Sequence, residues 1–227
     1  MDTLLLTQDG SHTLYSERFQ VTYHSKYGAI QEAQTVFIDA ALHPKLAQKA
    51  HAISILEIGL GTGLNALMTY LECQKHPEIP VFYTAIEAFP VSQEVVETLN
   101  FAACFEEQEA EAARFLSLLH GAAWDVPTRI APNFTLIKQL KTFETIDFAD
   151  EFDLVYYDAF APNSQPELWT IPMFEKMYIA LRQNGLLTTY CAKGEVKRNL
   201  RAVGFQLESL PGPIGKREMT RATKNEA

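Results

Sequence analysis

The stretch Leu56-Glu57-Ile58-Gly59-Leu60-Gly61-Thr62-Gly63 constrains this chain most. An apolar run beginning at Ile53 ends in glycines at alternate positions, and Leu64, Leu67, Met68 and Leu71 then recur at helical spacing until Pro77. Strand, glycine turn and helix is the arrangement in which the backbone turns sharply and a ligand approaches the N–H groups of a helix start. A second apolar run, residues 81–86, ends on Glu87. Parallel strands joined by a crossover helix form a βαβ unit, so the pattern predicts an α/β fold.

Glycine spacing separates the cofactor classes. A dinucleotide fingerprint would need glycine where Leu64 or Ala66 stands, and a phosphate-binding Walker loop would need Gly-Lys-Ser/Thr, which is absent. The remaining common reading is the loop that wraps the methionine part of S-adenosylmethionine, with Glu57 near its ammonium group. Glu87 follows Gly63 by 24 residues. An acid there accepts hydrogen bonds from both ribose hydroxyls, the alternative being a surface carboxylate. Asp158 follows the apolar run Phe152–Tyr157 and precedes Ala159-Phe160-Ala161-Pro162, so it projects from the carboxyl edge of the sheet, where open α/β folds bind ligands. It is either a cap of local structure or a group that orients an amine and takes its proton, with Phe160 or Trp169 packing on a flat substrate.

The 227 residues suit one well-buried α/β domain. Residues 1–37 read as short strands around Asp9-Gly10, a small β appendage, and residues 38–227 as the main domain. Helices are expected over 37–50, where Pro44 interrupts, and over 64–76, 91–120, 171–182 and 195–203; further strands over 134–138, 152–157, 186–191, 205–210 and 217–223. The predicted fold is the class I Rossmann-like S-adenosylmethionine-dependent methyltransferase, a mainly parallel seven-stranded sheet with helices on both faces. No apolar run approaches membrane-helix length and the N-terminus lacks a secretory pattern, so a cytoplasmic location with no membrane partner is expected. Cys73, Cys104 and Cys191 are too scattered for a disulfide framework or a zinc site; they read as buried thiols, and no metal is expected.

The net charge of −9 opposes general nucleic-acid affinity, but residues 185–227 carry a net +4 through Lys193, Lys197, Arg198, Arg201, Lys216, Arg217, Arg221 and Lys224. An anionic partner would therefore approach the C-terminal part.

Several blocks together resemble a known family. They are Asp158-Ala159-Phe160-Ala161-Pro162-Asn163 with Pro166-Glu167-Leu168-Trp169, Gly194-Glu195-Val196-Lys197-Arg198, and Gly212-Pro213-Ile214-Gly215-Lys216-Arg217-Glu218-Met219. With Tyr23-His24-Ser25, Gly28-Ala29, Glu32, Gly63-Leu64-Asn65 and Glu87-Ala88-Phe89-Pro90, they resemble, in order along the chain, the methyltransferase domain of the bifunctional MnmC enzymes that modify the tRNA wobble uridine. The resemblance implies methylation of a 5-aminomethyl group on a (2-thio)uridine of tRNA, giving 5-methylaminomethyl(-2-thio)uridine. It implies Asp158 as the group that handles the amine, and Glu57, Gly59, Gly61, Gly63, Asn65 and Glu87 as cofactor-binding. Phe160, Pro162, Trp169, Lys216, Arg217 and Glu218 are implied on the substrate side.

Two departures stand out. The bifunctional enzymes carry a flavin oxidase domain for which this sequence leaves no room, so no flavin is expected and a separate enzyme would supply the aminomethyl substrate. Many family members also carry Gly-Asp after the third strand to contact adenine, where this chain reads Leu136-Ile137-Lys138-Gln139-Leu140. The competing readings are an aminopropyltransferase, a small-molecule methyltransferase of the same fold, and a non-catalytic cofactor-binding RNA-associated scaffold. The first needs a second carboxylate beside Asp158, which Asn163-Ser164-Gln165 does not supply.

Overall fold

The computed structural model describes residues 2–48 and 50–225. Met1, Lys49, Glu226 and Ala227, which fall within the expected 1–37 and 38–227 segments and, for Lys49, the expected 37–50 helix, lie outside the described residues. Strands β1 (Thr3–Leu6), β2 (His12–Ser16) and β3 (Val21–Thr22) pair antiparallel as a small sheet. The chain then enters α1 (Ala29–Ala33), widens into π-helical turns over Gln34–Leu42 and continues as α2 (His43–Ala47). This helix starts at Ala29 rather than Phe37. Burial of Ala29, Ala33, Val36 and Phe37 against the main sheet outweighs the strand preference of Thr35 and Val36. The wide turns carry the chain past Pro44, which has no N–H to donate.

The main domain runs β4 (Ile53–Ile58), α3 (Leu64–Cys73), β5 (Val81–Glu87), α4 (Gln93–Val96), α5 (Glu109–Gly121), β6 (Thr128–Ala131), β7 (Phe134–Leu140), β8 (Phe152–Tyr157), α6 (Ile171–Ala180), β9 (Leu181–Thr189), α7 (Gly194–Val203), β10 (Gln206–Pro211) and β11 (Glu218–Thr223). Sheet order is β10-β11-β9-β8-β4-β5-β7-β6, with β9-β8-β4-β5-β7 parallel and β11 inserted antiparallel beside β9. The seven expected strands are present and an eighth, β6, pairs antiparallel with β7 at the edge. Its four residues are too few to show a period.

Two other boundaries differ from expectation. The segment 91–120 is not one helix: Asn100 breaks it by accepting from His12 N (2.8 Å) and donating to Gly10 O (2.8 Å), which ties it to the β1–β2 turn. Helix α6 stops at Ala180, because β9 already begins at Leu181 and carries an irregularity with Asn184 at φ 60°. Of the cysteines, Cys73 and Cys191 are buried and Cys104 is half-buried.

Alternate residues of the central strands face opposite layers. Ile55, Tyr83, Leu136 and Tyr156 pack under α1, α3 and α5, whereas Leu56, Ile58, Ile86, Val155 and Tyr157 pack against α6 and α7. Strands covered on both faces read as continuous apolar runs, which is why β4, β5 and β8 are legible in the sequence. Tyr70, Phe115 and Phe134 lock α3, α5 and β7 together at centroid distances of 4.5, 5.4 and 5.8 Å. Phe134→Ala there would cost about 3–5 kcal/mol.

The ladder also sets the site. β4 lies between β5 and β8, so the carboxyl ends of three neighbouring strands bring the glycine loop, Glu87 and Asp158 to one edge, at the point where the strand order reverses. Gly59 N donates to Ile86 O (3.0 Å) and Asp158 N to Ile58 O (3.1 Å), which fixes their relative heights.

Candidate active site

Gly59 and Gly61 hold backbone conformations that other residues rarely adopt, at φ 90° and 51°. A side chain at Gly59 would also meet Asp158 O at 3.0 Å, and one at Gly61 the Tyr23 ring at 3.2 Å. Gly63, at φ 80°, starts α3 with no side-chain cap, and a side chain there would meet Leu119 and His120 rather than the cleft.

Beneath the loop, Glu57 and Asp158 share one amide. Asn65 Nδ2 donates to Glu57 Oε1 at 3.0 Å and to Asp158 Oδ2 at 2.8 Å. Glu57 is fully buried, and burial together with the Asp158 charge holds its carboxyl well above the usual carboxylate range. Burial and then the Glu32 charge push Asp158 up to about 8, against the lowering effect of Asn65 and Lys216. Glu57 Oε2 and Asn65 Oδ1 are buried acceptors with no donor in hydrogen-bond geometry among the described residues. The Tyr83 hydroxyl, itself without a partner in hydrogen-bond geometry, faces Glu57 from β5, and the acceptor capacity left on Glu57 and Asn65 Oδ1 fits a cationic amino group such as that of S-adenosylmethionine.

Glu87 sits at the end of β5 with both carboxylate oxygens engaged, Oε2 by Gly61 N (2.9 Å) and Oε1 by Phe89 N (2.8 Å). It thus braces the glycine loop, and each oxygen keeps a further lone pair for a ribose hydroxyl. The cleft above encloses about 530 Å³, its open mouth included, and is lined by Gly59, Gly61, Glu87, Asp158, Phe143 and Gln165 among others. Its roof is the small N-terminal sheet: Phe19 and Tyr23 close on Phe160 at 4.7 and 5.0 Å, and His24 Nε2 lies 2.9 Å from Thr62 Oγ1. Sequence reasoning placed Tyr23 and His24 in a family block but assigned them no role. The signal available was that block, since nothing local says the hairpin folds over the loop.

A second, wider cavity adjoins the first and is lined by Pro162, Tyr190, Lys216, Arg217 and Glu218 among others. Of the residues expected on the substrate side, Phe160 lines the inner cleft, while Pro162, Lys216, Arg217 and Glu218 line this outer one. Trp169 requires correction. It is buried against Tyr157 and Phe174 and its Nε1 donates to Phe160 O at 2.8 Å, so it anchors the Asp158 loop from behind and offers no face to a substrate. Lys216 turns inward to Glu32 at 2.5 Å, and Lys197 to Glu218 at 2.8 Å, whereas Lys193, Arg198, Arg201 and Arg217 stay exposed.

This sheet order, with a glycine loop after the central strand and acids after its two neighbours, defines the S-adenosylmethionine-dependent methyltransferase fold. A family model described as S-adenosyl-L-methionine-dependent methyltransferase matches residues 132–225. The bifunctional tRNA 5-methylaminomethyl-2-thiouridine biosynthesis protein MnmC of Ralstonia nicotianae is 31% identical over 228 residues, covering 96% of this chain and 33% of that protein. The MnmC protein of Leptospira interrogans is 28% identical over 221 residues, covering 95% and 34%. The chain thus spans about a third of the length of these relatives. The crystal structure of MNMC2 from Aquifex aeolicus superposes with a TM-score of 0.81 at 24% identity, covering all of this chain and 71% of that one. Spermidine synthase from Thermotoga maritima shares the fold at a TM-score of 0.53 and 16% identity, covering 95% and 69%. The chain is a methyltransferase-fold domain of MnmC-like sequence.

Proposed function

We propose that this protein transfers the methyl group of S-adenosylmethionine to the 5-aminomethyl nitrogen of a (2-thio)uridine at the tRNA wobble position. The observation that carries the reading is the place of Asp158. It lines the cofactor cleft, and the loop that follows it, through Pro162, walls the outer cavity. The cofactor, when bound, supplies an electrophilic methyl on a sulfonium.

Glu57 and Asn65 would hold its amino group and Glu87 its ribose, with the main chain of Gly59 and Gly61 leaving room for it. Asp158 receives the acceptor as an ammonium, takes its proton and leaves the neutral amine as nucleophile. The neutral nitrogen, held in line by the site, would be the group that accepts the methyl, and positioning by this chain's residues would supply much of the rate. Asp158 gives the first proton to solvent, and the methylated amine leaves as its ammonium or loses its surplus proton to solvent in turn. The acceptor amine is the product of a preceding reaction on the same base.

The phosphates of tRNA are met by the exposed Arg198, Arg201 and Arg217, with Lys193 beside them. These lie in the region of net +4, which offsets locally the repulsion of a chain of −9.

The test is methyl transfer from labelled S-adenosylmethionine to tRNA carrying 5-aminomethyl(-2-thio)uridine, with Asp158→Ala alongside. Label in the wobble uridine, lost in the variant while cofactor binding persists, supports substrate and residue together. Cofactor binding with unlabelled tRNA would remove the substrate reading and leave the fold assignment.

A further inference from the structure

Three buried or half-buried acids converge at this site from separate elements: Glu57 of β4, Glu32 of α1 and Asp158 after β8. Mutual repulsion and burial oppose ionisation of all three. Asn65 separates Glu57 from Asp158 without adding charge. Lys216 brings a positive charge inward to this cluster: its Nζ lies 2.5 Å from Glu32 Oε1 and 3.8 Å from the centroid of the Tyr190 ring. Tyr190 in turn donates from its hydroxyl to Ala159 O at 2.8 Å, directly beside Asp158. Glu32 is held in place by Ser25 N at 2.7 Å on its other oxygen. The loop carrying Lys216 is latched to the same helix by Ile214 N donating to Gln31 Oε1 at 3.1 Å. An ammonium fixed by a carboxylate and an aromatic face, on a loop fastened at both sides, is a built counter-ion position and a poor one for reaching phosphates.

We propose that Lys216 is the internal counter-ion that lets Asp158 ionise between Glu32 and Glu57, acting as a positioning residue through charge and leaving phosphate contacts to the exposed arginines. This rests on the reading of Asp158 as the proton acceptor. Among the described residues, the titratable groups facing Asp158 or lining its cleft are Tyr23, His24 and Glu87, Glu57 and Tyr83 from the sheet, Glu32 from α1, Tyr190 after β9 and Lys216 from the β10–β11 loop. Burial holds His24 down to about 4, so Lys216 is the cation among these groups near neutral pH, and Asp158 is pushed up to about 8 with Lys216 in place.

The experiment titrates Asp158 directly in the full chain without tRNA, by carboxyl-13C aspartate NMR, with the signal assigned by its loss in Asp158→Asn. Lys216→Met should raise the midpoint by about one unit or more, and Lys216→Arg should hold it near the wild-type value. Lys216→Gln, which keeps polarity toward Glu32, gives the same upward shift and serves if the methionine variant does not fold. An unchanged midpoint in a folded Met or Gln variant overturns the proposal. So does a fall of about 0.7–0.9 in the salt slope of tRNA binding with the titration unmoved, which would make Lys216 a phosphate ligand. A shifted midpoint with no methyl transfer by the wild-type protein would uphold the counter-ion and remove the proposed substrate.

Discussion

Asn65 Nδ2 lies 2.8 Å from Asp158 Oδ2, a hydrogen bond between residues 93 apart in sequence that ties the first turn of α3 to the loop after β8. The same nitrogen reaches Glu57, so one amide spaces two acids that would otherwise repel each other at close range.

Replacing that amide tests its hold on the site. Asn65→Leu keeps size but removes both hydrogen bonds, leaving the buried Glu57 and half-buried Asp158 carboxyl groups without that partner at about 1.5–3 kcal/mol of lost interaction. S-adenosylmethionine affinity, measured by calorimetry, should fall about 10- to 100-fold, which is that energy expressed as a ratio of binding constants. Affinity equal to wild type would show that the bridge does not shape the cofactor site.

Gly59→Ala introduces a methyl group at φ 90° and 3.0 Å from Asp158 O, where the neighbour is backbone and cannot turn away. The strain should cost about 2–3 kcal/mol and lower the melting temperature by about 5–10 °C. Cofactor binding should weaken as well, since the displaced atom belongs to Asp158. A melting curve superimposable on wild type would contradict this role for the glycine.

Trp169→Phe distinguishes an indole that serves the core from one that serves the substrate. The phenyl ring retains most packing, but Phe160 O loses its donor, at about 1–3 kcal/mol. Denaturant unfolding should register the loss while the Michaelis constant for acceptor tRNA stays within about twofold of wild type, far less than the removal of a base-stacking ring would cause. A large rise in that constant with unchanged stability would restore a direct role in stacking on the substrate.

Acid should destabilise the protein through its buried His24 and half-buried His120. Burial holds both His24 and His120 down to about 4, so in the folded chain they stay neutral while unfolded histidines protonate near 6.5. Stability contributed by the neutral form is present above about pH 6.5 and is lost as pH falls toward 4. For His24 the loss between about pH 6.5 and about pH 5 is about 2 kcal/mol. His24→Gln should flatten the dependence of urea midpoint on pH over that range. An unaltered slope would mean that His24 does not titrate differently on folding.

The basic rim gives a further expectation. Arg198→Ala with Arg217→Ala should weaken tRNA binding and reduce its salt slope by about 0.7–0.9 for each phosphate no longer neutralised, leaving cofactor affinity unchanged. No change in slope would place the tRNA elsewhere on the surface.

The chain's local pattern determined the elements whose physics is local. β4, β5 and β8 are legible because both faces are covered and their runs are apolar throughout. The glycine loop is legible because glycine marks backbone that other residues strain to adopt, and Glu87 and Asp158 because strand ends in an α/β sheet share one edge. The tertiary structure alone decided what depends on distant partners. Ala29–Ala33 became helix because its apolar side had a sheet to cover, and residues 91–120 broke where Asn100 found the β1–β2 turn. Trp169 turned into the core rather than toward a substrate, and Tyr23 and His24 came to roof the cleft. Lys216 turned inward while Arg217, its neighbour, stayed in solvent, because Glu32 lies 184 residues away in sequence and in reach only after folding. Periodicity carries no record of such pairings, since charge and burial at one position are set by whichever surface the topology brings against it.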